Sequence, residues 1–214
     1  GHVIGTKIDE IIGVPYITFV FPGILMLSVI NAAFASSSSS LYFARFVHSI
    51  DEILIAPFSY LEMIFGFMLG AMMRGVMVAI LIIGVGLCFG AVTLVSPFAF
   101  LFYVVAISGI FSLLGMLVAL WAKGFEQLSS LNTFVITPLT YLGGIFYSIT
   151  MLPALAQTLT KLNPFFYFVD GIRSSMIGVG EAGAYVGMYI ILGTLLSLLM
   201  LTVYLFKIGW RIRT

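Results

Sequence analysis

Arg45, His48, Asp51 and Glu52 fall within a few positions of one another in "ARFVHSIDEILIAP", although only 8% of the chain is charged. Their types suit ion pairing and hydrogen bonding to a partner rather than covalent chemistry. Two other features stand out: Arg74 lies alone inside a long apolar run, and Asp170 and Arg173 are spaced i, i+3, as a helical ion pair would be. Nothing assembles into a catalytic centre. Cys88 is the sole cysteine, so an internal disulfide and a cysteine metal site are both excluded. There is no phosphate-cradling Gly-Lys-Ser/Thr loop, and no cofactor site is expected.

The elements that must position these residues follow from composition. Hydrophobic residues make up 62% of the 214, mean hydropathy is +1.21, and the apolar residues come in runs, so the solvent is lipid. A helix needs about 20 apolar residues to cross the hydrocarbon core. Five stretches are expected to do so, roughly 15–35, 64–92, 98–121, 132–149 and 185–206. Their hydrophobicity is continuous rather than alternating, which excludes a barrel. The fold class is therefore all-α and polytopic, a single transmembrane domain over residues 1–214.

Lys207, Arg211 and Arg213 follow the last span and place the C-terminus in the cytoplasm, with Arg45 and Lys123 on the same side. Lys7, Lys161 and Arg173 then fall outside. His2 and His48 lie on opposite sides, so a paired-histidine site is excluded. The opening "GHVIGTKIDEIIG" lacks an initiator Met and a signal-peptide pattern, and the odd span count points to one further helix upstream, six in all. Net charge of +1 provides no surface for nucleic acid.

From Phe43 the apolar residues Phe46, Val47, Ile50, Ile53 and Leu54 share one helical face and the charged residues another, up to Pro57. Two readings fit: an interfacial helix with solvated charges, and a docking helix whose polar face meets a soluble partner. The preceding Ser36–Ser40 cluster reads as the small-residue end of a spanning helix. Residues 149–180 are apolar but broken by Pro153, Asn163-Pro164, Asp170 and Arg173, which excludes a crossing. Two short half-buried helices joined around Asn163-Pro164 are expected, with Phe165, Phe166, Phe168, Val169, Ile172 and Met176 on the apolar face. An ordinary surface loop also fits that composition. Arg74 reads either as a functional intramembrane charge or as a side chain snorkelling toward the cytoplasm. Gly143-Gly144 in "YLGGIFY" reads as a packing feature.

Four pieces carry a resemblance: "GVPYITFVFPGILMLSVINAAF", "FARFVHSIDEILIAPFSYLEM", "LWAKGFEQLSSLNTFVITPLTYLGGIFYSITMLP" and "LNPFFYFVDGIR". The chain resembles the membrane subunits of type-2 ABC exporters over nearly all its length, most of all the YadH-like bacterial permeases. The resemblance implies a cytoplasmic coupling helix at residues 43–56, where Arg45, His48, Asp51 and Glu52 would meet a separate ATPase subunit. It also implies an outer re-entrant pair at residues 149–180, carrying Asn163, Pro164, Asp170 and Arg173. A dimer of identical permease copies joined to two ATPase subunits, in a bacterial inner membrane, completes what the resemblance implies. The implied function is ATP-driven export of an amphipathic or lipid- or glycan-linked substrate. An ion-coupled secondary transporter and a non-transporting assembly subunit are the alternatives, the first disfavoured because no carboxylate sits mid-span.

Overall fold

The computed structural model describes residues 10–11, 13–47, 59–88 and 92–211. His48, Asp51 and Glu52, with most of the expected coupling helix, lie outside the described residues. A two-stranded antiparallel ladder, β1 (Glu10–Ile11) and β2 (Val14–Pro15), leads into α1 (Tyr16–Phe46). Then follow α2 (Tyr60–Cys88), α3 (Pro97–Trp121), α4 (Phe125–Leu131), α5 (Thr137–Tyr141), α6 (Ala154–Leu162), α7 (Pro164–Ile177) and α8 (Ala184–Lys207). Among the described residues four helices are long and apolar enough to cross a membrane: α1, α2, α3 and α8.

Two expected spans differ from those drawn from hydropathy. The first does not end near residue 35: Ser36–Ser40 continue the helix, and Phe43–Phe46 form its last turn instead of starting a separate one. The serines are tolerated because Ser38 and Ser39 donate back to the Ala35 carbonyl, so their hydroxyl hydrogens need no water. Over the span expected at 132–149 no helix of spanning length is present among the described residues. Helical backbone runs without a break from Phe125 to Tyr141, and residues 142–147 turn.

Within that stretch Asn132–Ile136 is a π-helical turn. Pro138 accounts for it: it has no N–H to donate and its ring crowds the carbonyl four residues back. The turn before it widens, and the Thr137 hydroxyl and amide both donate to the Asn132 carbonyl.

The core is α3, packed along α1, with α2, α7 and α8 around them. Small residues bring α1 and α3 into backbone contact. Ser37 Oγ donates to the Ser112 carbonyl at 2.6 Å. A Cβ on Gly115 would stand 2.8 Å from the Phe34 carbonyl oxygen. Close approach of this kind, rather than expulsion of water, holds helices together in lipid. By contrast α2 and α8 expose Met73, Ile80, Leu81, Tyr189, Met200 and Tyr204, a surface suited to acyl chains or another helix.

The segment at 149–180 contains a helix–break–helix, α6 ending at Leu162 and α7 starting at Pro164. Asn163 caps α7 by accepting from the Phe165 amide, and Pro164 occupies the first helical position, where a missing N–H costs nothing. Asn163 also donates to the Leu139 carbonyl at 2.8 Å, tying the break to α5. All six residues of the expected apolar face of α7 are buried.

Candidate functional site

A polar groove opens between α1, α2 and α4. Its cavity is ≈ 640 Å³. From α1 come Asn31, Ser38 and Ser39; from α4 and the π turn come Ser129, Asn132 and Thr133; α2 contributes Arg74. Asn132 Nδ2 donates to Asn31 Oδ1 at 3.1 Å, joining two residues far apart in the chain across the groove wall. The π turn offsets the side chains after Leu131 from their α-helical phase, which is why π turns recur where a helix must aim polar groups into a cavity.

Arg74 sits in the middle of a 29-residue helix. At about 1.5 Å per residue, roughly 20 Å of helix lies on each side, against a hydrocarbon half-thickness of about 15 Å. The Arg74 side chain is exposed and lines the groove, whose hydroxyls and amides give the guanidinium polar neighbours. Among the described residues the only ion pair is between Arg173 and Glu181, and no carboxylate lines the groove. The next residue, Gly75, faces Ser108 of α3, which keeps α2 close to the core while Arg74 looks into the cavity.

At one end of α3, Arg45 does not face solvent as the docking reading requires. It is buried, and its Nη1 donates to the carbonyls of Ala119 and Leu120 at 2.5 and 3.3 Å. The reason is that the last four carbonyls of a helix lack intrahelical partners and carry partial negative charge. Arg211 does the same for Trp121 at 3.0 Å. Arg45, Lys123 and Arg211 thus line one cleft of ≈ 460 Å³. Phe46 and Val47, expected to pack inward, are 68% and 63% exposed. The two-faced pattern read from Phe43 onward fails here because these residues close a long helix whose buried side is set by α3.

At the other end Arg173 is fully buried but is not paired with Asp170. Its Nη1 stands 3.8 Å from Glu181 Oε2, and Nη2 donates to the Gly144 carbonyl at 2.6 Å. The guanidinium also lies 3.9 Å from the centroid of the Phe19 ring. Gly144 has φ +87°, a left-handed turn that a side chain would strain, and it points its carbonyl at Arg173. Asp170 instead accepts from the amides of Glu181 and Ala182 at 2.7 and 2.9 Å. Glu181 in turn accepts from the Ser148 hydroxyl and the Ile149 amide. Burial lowers the Arg173 guanidinium to about 10, leaving it charged at neutral pH. Burial pushes the Asp170 carboxyl up, opposed by its two amide donors. This network staples α7 to the turns on either side of it and has the makeup of a structural lock, not a reaction centre.

Sequence reasoning missed Glu181, Asn31 and Asn132. Glu181 sits in a glycine-rich turn where a solvated carboxylate is the default. The asparagines carried a weak signal, each an amide within an apolar run.

The model of the ABC-2 type transporter family matches residues 2–177. Inner membrane transport permease YadH of Escherichia coli (strain K12) is 39% identical over 181 residues, 85% of this chain and 71% of the relative. Nodulation protein J of Neorhizobium galegae is 27% identical over 214 residues, 94% of this chain and 79% of the relative. That of Rhizobium meliloti (strain 1021) is 27% identical over 184 residues. The chain belongs to the ABC-2 type transporter family and is a membrane transport permease subunit.

Proposed function

We propose that this chain is the membrane half of an ATP-driven exporter, passing an amphipathic or lipid- or glycan-linked substrate along the groove that holds Arg74. The observation that carries this reading is the groove itself. A cavity lined by hydroxyls, amides and a cation at membrane depth is costly to maintain unless polar groups pass through it. In this reading the stretch from Phe125 to Tyr141 completes the crossings, and the pair α6–α7 dips into the outer leaflet without crossing. Two copies pair with two ATPase subunits in a bacterial inner membrane.

The gathering of Arg45, Lys123 and Arg211 at one cleft supports a cytoplasmic C-terminus, since basic residues resist translocation. A cysteine replacing Lys161 should react with an impermeant thiol reagent from outside, and one replacing Lys123 should not. The reverse labelling would invert the assignment.

With Arg45 committed to α3, docking of the ATPase falls to His48, Asp51 and Glu52. One experiment with two arms tests path and docking together. Ser39→Trp, which fills the groove, should abolish export while the ATPase still co-purifies. Asp51→Lys/Glu52→Lys should release the ATPase, with membrane insertion intact, because reversed charge at a contact rim weakens association. Wild-type export by the Trp variant would remove the groove from the path; undiminished co-purification with the Lys pair would remove the docking role.

A further inference from the structure

We infer that the amphiphile carried by the groove bears an anionic group, a phosphate or carboxylate, which Arg74 engages at membrane depth. The inference rests on the groove being the substrate path and adds the sign of the substrate's charge. Arg74 is an exposed cationic side chain in the middle of α2, and among the described residues no acid lines its cavity. An isolated charge there is expensive, and intramembrane charges are otherwise neutralised by a partner. The other polar groups of the groove do not supply the missing charge. Ser38 and Ser39 spend their hydroxyl hydrogens on the Ala35 carbonyl, and Asn132 gives an amide N–H to Asn31. They present dipoles that can orient a headgroup but leave the compensating negative charge to the ligand. A guanidinium offers a planar fork that matches phosphate and carboxylate oxygens two at a time. A cationic headgroup would meet repulsion, and a neutral one would leave the charge uncompensated.

Depth fixes the rest of the chemistry. A soluble anion would have to be stripped of water to reach the middle of a spanning helix, whereas an amphiphile arrives with its chain already in lipid. Around the cavity, Phe34, Phe125 and Leu128 provide the apolar wall such a chain needs.

The test uses the full permease with its ATPase in nanodiscs of phosphatidylcholine, and two photoactivatable probes of equal chain length, dodecyl phosphate and dodecanol. Crosslinks to peptides containing Ser38-Ser39 and Ser129–Thr133 are counted by mass spectrometry. The phosphate probe is expected to label them about tenfold or more over dodecanol, the scale of one charge-assisted contact. Arg74→Gln should bring the two probes level, and Arg74→Lys, which keeps the charge, should retain most of the preference. Inorganic phosphate at the probe's concentration should not compete. Equal labelling in the wild type, or an unchanged preference in Arg74→Gln, overturns the inference. Full competition by inorganic phosphate also overturns it, reassigning the site to a soluble anion. The path reading fails separately, through wild-type export by Ser39→Trp.

Discussion

Glu181→Ala is expected to destabilise the protein by about 3–5 kcal/mol, the cost of leaving a buried charge without its partner. Arg173 stays charged at neutral pH and is 1% exposed, so removing Glu181 strands it against Phe19 and two carbonyls. The same substitution deprives the Ser148 hydroxyl and the Ile149 amide of an acceptor. Replacing both charges, as Arg173→Met/Glu181→Ala, should recover much of the loss, because an apolar side chain of similar length needs no counter-ion. Thermal unfolding of the purified permease in mild detergent measures both. A double variant no more stable than Glu181→Ala would show that the carboxylate works through its hydrogen bonds to residues 148–149 alone. A loss below about 0.5 kcal/mol in the single variant would place the network among ordinary surface contacts.

Gly115→Val is the second large effect, expected to cost about 1–3 kcal/mol or more by forcing apart two helices packed in backbone contact. The obstacle to a side chain is main chain, the Phe34 carbonyl at 2.8 Å and the Ser38 amide nitrogen at 3.1 Å, neither of which can rotate away. Separation of α1 from α3 would also stretch the Ser37–Ser112 hydrogen bond and move one wall of the groove. Gly70→Ala is the control. Nothing lies within 4 Å of its added Cβ, so it should be neutral or stabilising by up to about 1 kcal/mol through reduced chain entropy. Equal behaviour of the two variants would mean that the α1–α3 crossing is loose.

The network at Glu181 and the groove at Arg74 draw on different residues, so their failures differ in kind. Loss of Glu181 lowers stability at the end of the bundle far along the chain from Arg74, and need not change which probe the groove prefers. Filling the groove at Ser39 leaves the lock untouched.

The sequence alone determined the solvent, the helical class and the family, because a run of about 20 apolar residues has few structures open to it once no water can satisfy the backbone. It also located the break at Asn163-Pro164 and the buried face of α7, since capping and helical period are properties of neighbouring residues. It could not show that Phe43–Phe46 finish α1, because an amphipathic pattern does not say whether its helix is separate. Nor could it decide the partners of its charges. Arg45 caps a helix more than 70 positions away, Arg173 prefers Glu181 to the nearer Asp170, and Asn31 meets Asn132. Such pairings are fixed by which backbones approach one another, and that approach depends on small residues such as Gly115 and Ser37, whose effect is felt only once the helices are packed. Arg74 shows the division most plainly: its cost in lipid was legible from one letter in an apolar run, while the groove that receives it exists only between three helices.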